Sequence, residues 1–359
     1  MNRMLLIGDP HFRIDNVDET AIFSTHLHTF LKNHPEIDMI VVLGDILHNH
    51  EKLHTSALNV AVDFFKMLIS FNRNLYCLVG NHDATSNQIF LTDNHWLKVL
   101  KEWPGITIVD KPLKVNLQDG YAVLCPYVPD GRLVEALNTL DDWKNAKYIC
   151  AHQLIDGAKM GPIVAQGVEE WKEEYPFLFL GHLHDKQRIG KNAYAVGSSL
   201  QHSYGEGSDK SLALIDLTKE ISFDNIEEIY LEIKRKKIMY ANVNELEELS
   251  NKIKDLEDNN IEYKIVLSGE ESDFKAIKNS SLYKETKLLE NVKDVVFKHK
   301  LNKKIENETS EISSNDNEDD FIKCLEELIQ KENDPFLTSL YEHVLMGKDD
   351  ISDKDVLFF

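Results

Sequence analysis

The chain has 359 residues, of which 42% are hydrophobic and 28% charged. That length suits about two domains with a sizeable core, and the composition is globular rather than disordered or fibrous. A formal net charge of −21 argues against indiscriminate nucleic-acid binding by the whole surface, and no apolar run approaches the ~20 residues of a membrane span.

The first apolar run, Met4-Leu5-Leu6-Ile7-Gly8, ends on Asp9 and His11. Asp9 follows the N-terminus too closely for a signal peptide, so a cytoplasmic protein is expected, in the host cytoplasm if the gene is carried by a phage. Helical spacing of Ile22/Phe23, His26/Leu27 and Phe30/Leu31 comes next. Ile40-Val41-Val42-Leu43-Gly44 then ends on Asp45, with His48 three residues on, and Phe64/Phe65 and Leu68/Ile69 mark a second helix. Leu75-Tyr76-Cys77-Leu78-Val79 runs into Gly80-Asn81-His82-Asp83, followed by helical spacing at Trp96, Leu97 and Leu100. Helices between strands imply parallel pairing. From Ile106 the apolar runs shorten, and Asp119-Gly120 reads as a hairpin turn. Tyr148-Ile149-Cys150-Ala151 ends on His152, and Phe177-Leu178-Phe179-Leu180-Gly181 on His182 and His184.

Five strand-like runs thus end on side chains that ligate metals or move protons. In open α/β sheets, ligands bind beyond the carboxyl ends of the strands, so the five ends are expected to converge. The predicted fold is α/β, with two face-to-face mixed sheets flanked by helices over residues 1–217. Cys77, Cys125, Cys150 and Cys324 lack a C-x-x-C pairing and read as reduced core residues.

Residues 218–305 form a second, smaller α/β unit. Its expected strands are Ile229–Lys234, Glu262–Leu267 and Val292–Lys298, with helices over Asn244–Leu256 and Phe274–Ser280 and a basic cluster at Lys234-Arg235-Lys236-Lys237. Residues 306–320 are rich in Glu, Asp, Asn and Ser and read as an acidic linker. Residues 321–359 carry apolar helical stripes (Phe321, Leu325, Leu328, Ile329, then Phe336 to Leu345) too short for a core of their own, so they need a docking surface. The unit and tail hold a net −13 against −8 for residues 1–217.

Two aspartates, an asparagine and several histidines suit two adjacent divalent ions, and this donor mixture favours manganese, iron or zinc over magnesium or calcium. Asp45 is the best candidate to bridge them. His82 and His48 fit proton transfer or charge stabilisation beside the metals, with Asp83 orienting the His82 ring. A single histidine of this kind is more often a capping or surface residue; the joint pattern of strand ends carries the weight. His26, His28, His34, His54, His95, His299 and His343 lack that context and read as structural or solvated.

Asp9-Pro10-His11, Gly44-Asp45, Gly80-Asn81-His82-Asp83, His152 and Gly181-His182-Leu183-His184 resemble the calcineurin-like metallophosphoesterases, over about half the chain. Within that superfamily the chain is most similar to the SbcD-type double-strand-break-repair nucleases, including the recombination endonuclease subunit of T-even phages. Asp45 is followed by Ile46-Leu47-His48, the nuclease form of the motif, and Gly197-Ser198-Ser199 through Ser203-Tyr204-Gly205-Glu206 resembles a further family segment, with Ser199 where proline is usual. The resemblance implies one metal on Asp9, His11, Asp45 and His184, and a second on Asp45, Asn81, His152 and His182. It implies transition-state stabilisation by His82 and positioning of the DNA end by His48. Manganese-dependent 3′→5′ duplex exonuclease and single-strand endonuclease action would follow, with residues 218–305 as a DNA cap. The implied partners are DNA and an SMC-like ABC ATPase bound through residues 321–359, in a homodimer. The alternatives are a metallophosphatase or cyclic-nucleotide phosphodiesterase on small substrates, and a scaffold with a vestigial pocket.

Overall fold

The structure, a computed structural model, describes residues 2–299 apart from 51, 162 and 256–259. The expected linker 306–320 and helical segment 321–359 lie outside the described residues. Parallel strands β1 (Arg3–Ile7), β2 (Ile37–Val42) and β3 (Asn74–Leu78) are separated by α1 (Val17–Asn33) and α2 (Thr55–Ile69). A 3-10 stretch at Trp96–Glu102 leads into β4 (Thr107–Val109). The hairpin β5 (Leu113–Asn116) and β6 (Tyr121–Cys125) turns at Asp119-Gly120, with Gly120 at φ +82°.

After α3 (Leu133–Leu137) come β7 (Tyr148–His152), a small ribbon of β8 (Lys159–Met160) and β9 (Ile163–Val164), then β10 (Phe177–Gly181). β11 (Gln187–Ile189), β12 (Ala193–Ala195), β13 (Leu212–Asp216) and β14 (Ile226–Ile229) complete this body. One mixed sheet runs β14-β13-β1-β2-β3-β4, the other β11-β12-β10-β7-β6-β5.

The period-2 geometry of strands splits each apolar run between two cores. Met4, Leu6, Met39, Val41 and Leu78 pack between the sheets against Leu124, Tyr148, Cys150 and Phe179. Their neighbours Leu5, Ile7, Ile40, Val42 and Cys77 face the outer helices and meet Phe23, Leu27, Phe64, Phe65 and Leu68. Strands covered on both faces read as continuous apolar runs, which is why the sequence shows them so plainly. Cys77, Cys125 and Cys150 are free and buried. Among the described residues no helix is long and apolar enough to cross a membrane.

The smaller unit is a parallel sheet of β15 (Arg235–Asn242), β16 (Ile261–Gly269) and β17 (Val292–His299), crossed by α4 (Leu246–Asp255), α5 (Glu271–Lys278) and α6 (Ser281–Lys287). In β16 the buried residues Ile261, Tyr263, Ile265 and Leu267 alternate with half-exposed ones, so helices cover one face. The strand expected at 229–234 is corrected. Ile226–Ile229 pairs antiparallel with β13 at the edge of the first large sheet, where Ile226 and Ile229 join its cores. The small sheet begins only at Arg235, and Leu231 and Ile233 still pack against the outer core of the body, so the chain stays with the body well past residue 217. Lys236 fastens the unit to the body: its amide donates to Gln201 Oε1, and its ammonium to Glu19 on α1 and the Gln201 carbonyl, each at 2.7 Å.

Candidate metal centre

Asp9, Asp45, Asn81, His152 and His182 all lie just past, or at, the carboxyl ends of strands β1, β2, β3, β7 and β10. Each chain must turn sharply there to aim a side chain inward. Seven non-glycine residues have positive φ among those described, and four of them are Asp9 (35°), His11 (43°), Asp45 (52°) and His182 (76°). Such backbone strain is costly outside glycine and concentrates where function requires it. Gly80 serves close approach: a Cβ built on it would collide with the Asp45 carboxylate and amide.

The side chains fall into two groups joined by Asp45. In the first, His11 Nε2 lies 3.1 Å from His184 Nε2 and 3.5 Å from Asp45 Oδ2. Asp9 sits beside them, its Oδ1 accepting the His182 amide at 2.8 Å while its Oδ2 is buried with no hydrogen-bond partner. In the second, Asn81 Oδ1 lies 2.9 Å from His152 Nε2 and 2.8 Å from His182 Nδ1, and His152 Nε2 is 3.4 Å from Asp45 Oδ2. His152 Nδ1 donates to the Leu43 carbonyl at 2.7 Å, which turns Nε2 toward the centre. Asp45 Oδ1 accepts the His82 amide at 2.9 Å.

Two imidazole nitrogens facing each other, a carboxylate oxygen with no donor and an amide oxygen shared by two rings are poor hydrogen bonding. They are good donor sets for cations, and ligand atoms of Asp9, His11 and Asp45, and of Asp45, His152 and His182, cluster within 4.8 Å. The donors fit two divalent ions sharing Asp45, one also on Asp9, His11 and His184, the other on Asn81, His152 and His182.

The electrostatics of the bare cluster agree. Burial and the neighbouring Asp45 charge outweigh the histidines and push Asp9 up to about 6. Burial alone would raise Asp45, but His152, His11 and His82 hold it well below the usual carboxylate range. Burial opposes a charge on His152, yet Asp45 and Asp9 carry it up to about 9. Burial and the His152 charge take His182 down to about 4. A positive charge on His152 thus offsets the same carboxylates that cations would compensate.

His82 and His48 lie beside the first group, with ring centroids 4.8 and 5.3 Å from His11 and 5.6 Å from each other. His82 Nδ1 donates to the His48 carbonyl. The expectation that Asp83 orients the His82 ring is therefore corrected. Asp83 is buried and accepts from the Ile46 amide at 3.0 Å, the Gly80 amide at 3.0 Å and Trp96 Nε1 at 2.9 Å. It braces the two turns that carry Asp45 and Asn81.

Several residues at the site have no strand-end signature. His50 stacks on His82 at 4.3 Å, and Tyr127 lies 5.8 Å from His182. Glu206 Oε1 is 3.2 Å from His184 Nδ1, and His202 packs against both His11 and His184. Glu206 ends the Gly197–Glu206 segment and His202 lies within it; that segment is their only sequence signal. The Ser199 amide donates to the Gly8 carbonyl at 2.7 Å, a bond that proline, lacking N–H, would not make. His95 is structural, its Nε2 3.4 Å from Asp110.

Fold and site together define a metal-dependent phosphoesterase, and the chain belongs to the calcineurin-like phosphoesterase family, whose pattern matches residues 3–212. Members of the family use divalent metals. The chain is similar to "Putative phosphoesterase 078R" of Invertebrate iridescent virus 3, 35% identical over 95% of this chain and 96% of the relative. It is also similar to "Putative phosphoesterase 244L" of Invertebrate iridescent virus 6, 42% identical over 59% of this chain and 75% of the relative. Among solved structures, the E. coli phosphoesterase Yfce matches 64% of this chain and 97% of its own at 14% identity, with a TM-score of 0.30.

Proposed function

We propose that this phosphoesterase is a manganese-dependent DNA nuclease subunit, hydrolysing phosphodiesters as a 3′→5′ duplex exonuclease and a single-strand endonuclease in DNA end processing. The observation that carries the reading is His48. It follows Asp45 in the nuclease form of the motif, lies beside His11, and holds His82 through its own carbonyl.

Two divalent ions on the Asp45-linked donors would supply Lewis-acid activation of the phosphodiester and the attacking water. With Nδ1–H given to the His48 carbonyl, His82 turns Nε2 toward the substrate, where the doubly protonated ring would stabilise the developing charge or give a proton to the leaving oxygen. The His48 ring, half-exposed over the first group, contacts the phosphate or DNA end. Of the basic cluster, Lys236 is engaged by Glu19. Lys234 shares a groove of about 490 Å³ with Arg13 and Lys293, and with Asp15, Asp18 and Glu262.

With so acidic a chain, much of the DNA grip falls to a partner, an SMC-like ABC ATPase docked on residues 321–359, in an assembly built on a homodimer. The deciding experiment incubates the protein with manganese and compares a linear duplex with a chromogenic phosphodiester. Cleavage of DNA is expected; hydrolysis of the small substrate with DNA intact at every metal concentration would establish the small-molecule phosphodiesterase instead. Deleting residues 321–359 is expected to spare manganese-dependent cleavage and to abolish ATP stimulation by the partner; persisting stimulation would refute that docking.

A further inference from the structure

His202 belongs to neither ligand group above, yet it is 5% exposed and lies within the first. Its ring centroid is 4.8 Å from that of His11 and 5.0 Å from that of His184. One nitrogen from each of the three rings falls within 4.8 Å of the others. His202 Nε2 donates to the carbonyl of Asp9 at 2.8 Å. The lone pair is then on Nδ1, which is buried and meets no hydrogen-bond partner.

An imidazole with one N–H tied to a backbone carbonyl and the other nitrogen bare is how proteins prepare a metal ligand. His152 is built the same way with its nitrogens exchanged, Nδ1 donating to Leu43. Glu206 adds a shared brace: Oε2 accepts the His202 amide at 2.9 Å, and Oε1 lies 3.2 Å from His184 Nδ1. One carboxylate thus braces the His184 ring and the backbone that carries the His202 ring.

We propose that His202 is a further ligand, through Nδ1, of the metal held by Asp9, His11, Asp45 and His184. The inference rests on the reading of the cluster as a two-metal centre and deepens it. The first position then has three imidazoles where the second has two and an amide. The nitrogen-rich position prefers iron, cobalt or zinc more strongly than its neighbour does, so the two positions differ in selectivity.

The competing role is a purely structural one, in which His202 only secures the Asp9 carbonyl. Two variants separate them. His202→Gln places an amide N–H where Nε2 stands and keeps the bond to Asp9, but removes the imidazole donor. His202→Asn places its oxygen near Nδ1 and keeps a donor for metal, but loses the bond to Asp9. The full-length chain, stripped of metal, is titrated with Co²⁺ and followed by visible absorption, which reports the nitrogen donors around each ion.

The wild type is expected to take up two ions. His202→Gln is expected to weaken one by roughly tenfold or more, since even residues that only orient a ligand cost about 10–100-fold. Its visible bands shift while the other ion binds as before, and His202→Asn binds more tightly than His202→Gln. Two ions bound by His202→Gln with wild-type affinity and spectrum would overturn the proposal and leave the two-metal reading intact. A wild type that fails to bind two ions would sink that reading itself. If His202→Gln does not fold, His202→Leu takes its place: tighter binding by Asn than Leu supports ligation, and equal binding refutes it.

Discussion

Asp45 faces both ligand groups at once: Oδ2 lies 3.5 Å from His11 Nε2 and 3.4 Å from His152 Nε2, while Oδ1 holds the His82 amide. Asp45→Asn keeps an oxygen for that amide but removes the charge. Both metals are therefore expected to be lost or strongly weakened while the circular dichroism of the fold is retained. Elemental analysis after gel filtration checks it; one ion retained at full occupancy would show that Asp45 serves a single position. Asp83 gives the contrasting case, since its two oxygens accept three N–H donors away from the metals. In Asp83→Asn the new NH₂ group meets a donor, either at Gly80 or at Ile46 and Trp96. An unsatisfied buried donor costs about 1–3 kcal/mol, so a lowered denaturation midpoint is expected in chemical unfolding, and an unchanged midpoint would remove Asp83 from its bracing role.

Four of the five strand ends depend on glycines as much as on ligands, and Gly80 shows how. The carboxylate of Asp45 fills the space where a Cβ would stand, so β3 and the turn after β2 interlock through an absent side chain. Gly80→Ala is expected to displace Asp45, weakening metal uptake together with stability; isothermal titration with Mn²⁺ indistinguishable from wild type would show that the turn gives way freely. This part of the site was legible in sequence because a strand, a glycine and its ligands are consecutive, and because strands buried on both faces are apolar throughout. His202, Glu206 and Tyr127 were not. They reach the site from loops whose course is set by long-range contacts, such as the Ser199 amide on Gly8 and the His202 ring on Asp9. The strand expected at Ile229–Lys234 in the smaller unit is instead Ile226–Ile229 on the large sheet, for a related reason: a short strand has no local mark saying which edge it joins. Trp96 gave a helical spacing but not its second use, the indole N–H held by Asp83.

The body and the small unit meet at an ion pair away from solvent, Lys236 and Glu19, with side chains only 11% and 17% exposed. Burial raises Glu19 above the usual carboxylate range, and Lys236 is the main influence lowering it. Removing the lysine leaves the Glu19 carboxylate with only the weaker influence of Arg13 in a poorly solvated place, a change that costs about 3–5 kcal/mol in a fully buried pair and less in this partly solvated one. In Lys236→Ala the folded-state pKa of Glu19 rises further above its unfolded value. An acid raised in this way is easily accommodated while protonated, and stability falls as pH climbs from the unfolded value through the folded one. Lys236→Ala is thus expected to be destabilised at pH 8, with the deficit against wild type narrowing as the pH is lowered toward 5. Because the loss falls at the junction, protease cleavage between residues 230 and 235 should rise at the higher pH. Urea unfolding at the two pH values, paired with limited proteolysis, measures both; a deficit independent of pH would mean that Lys236 fastens the small unit through its bonds to Gln201 alone.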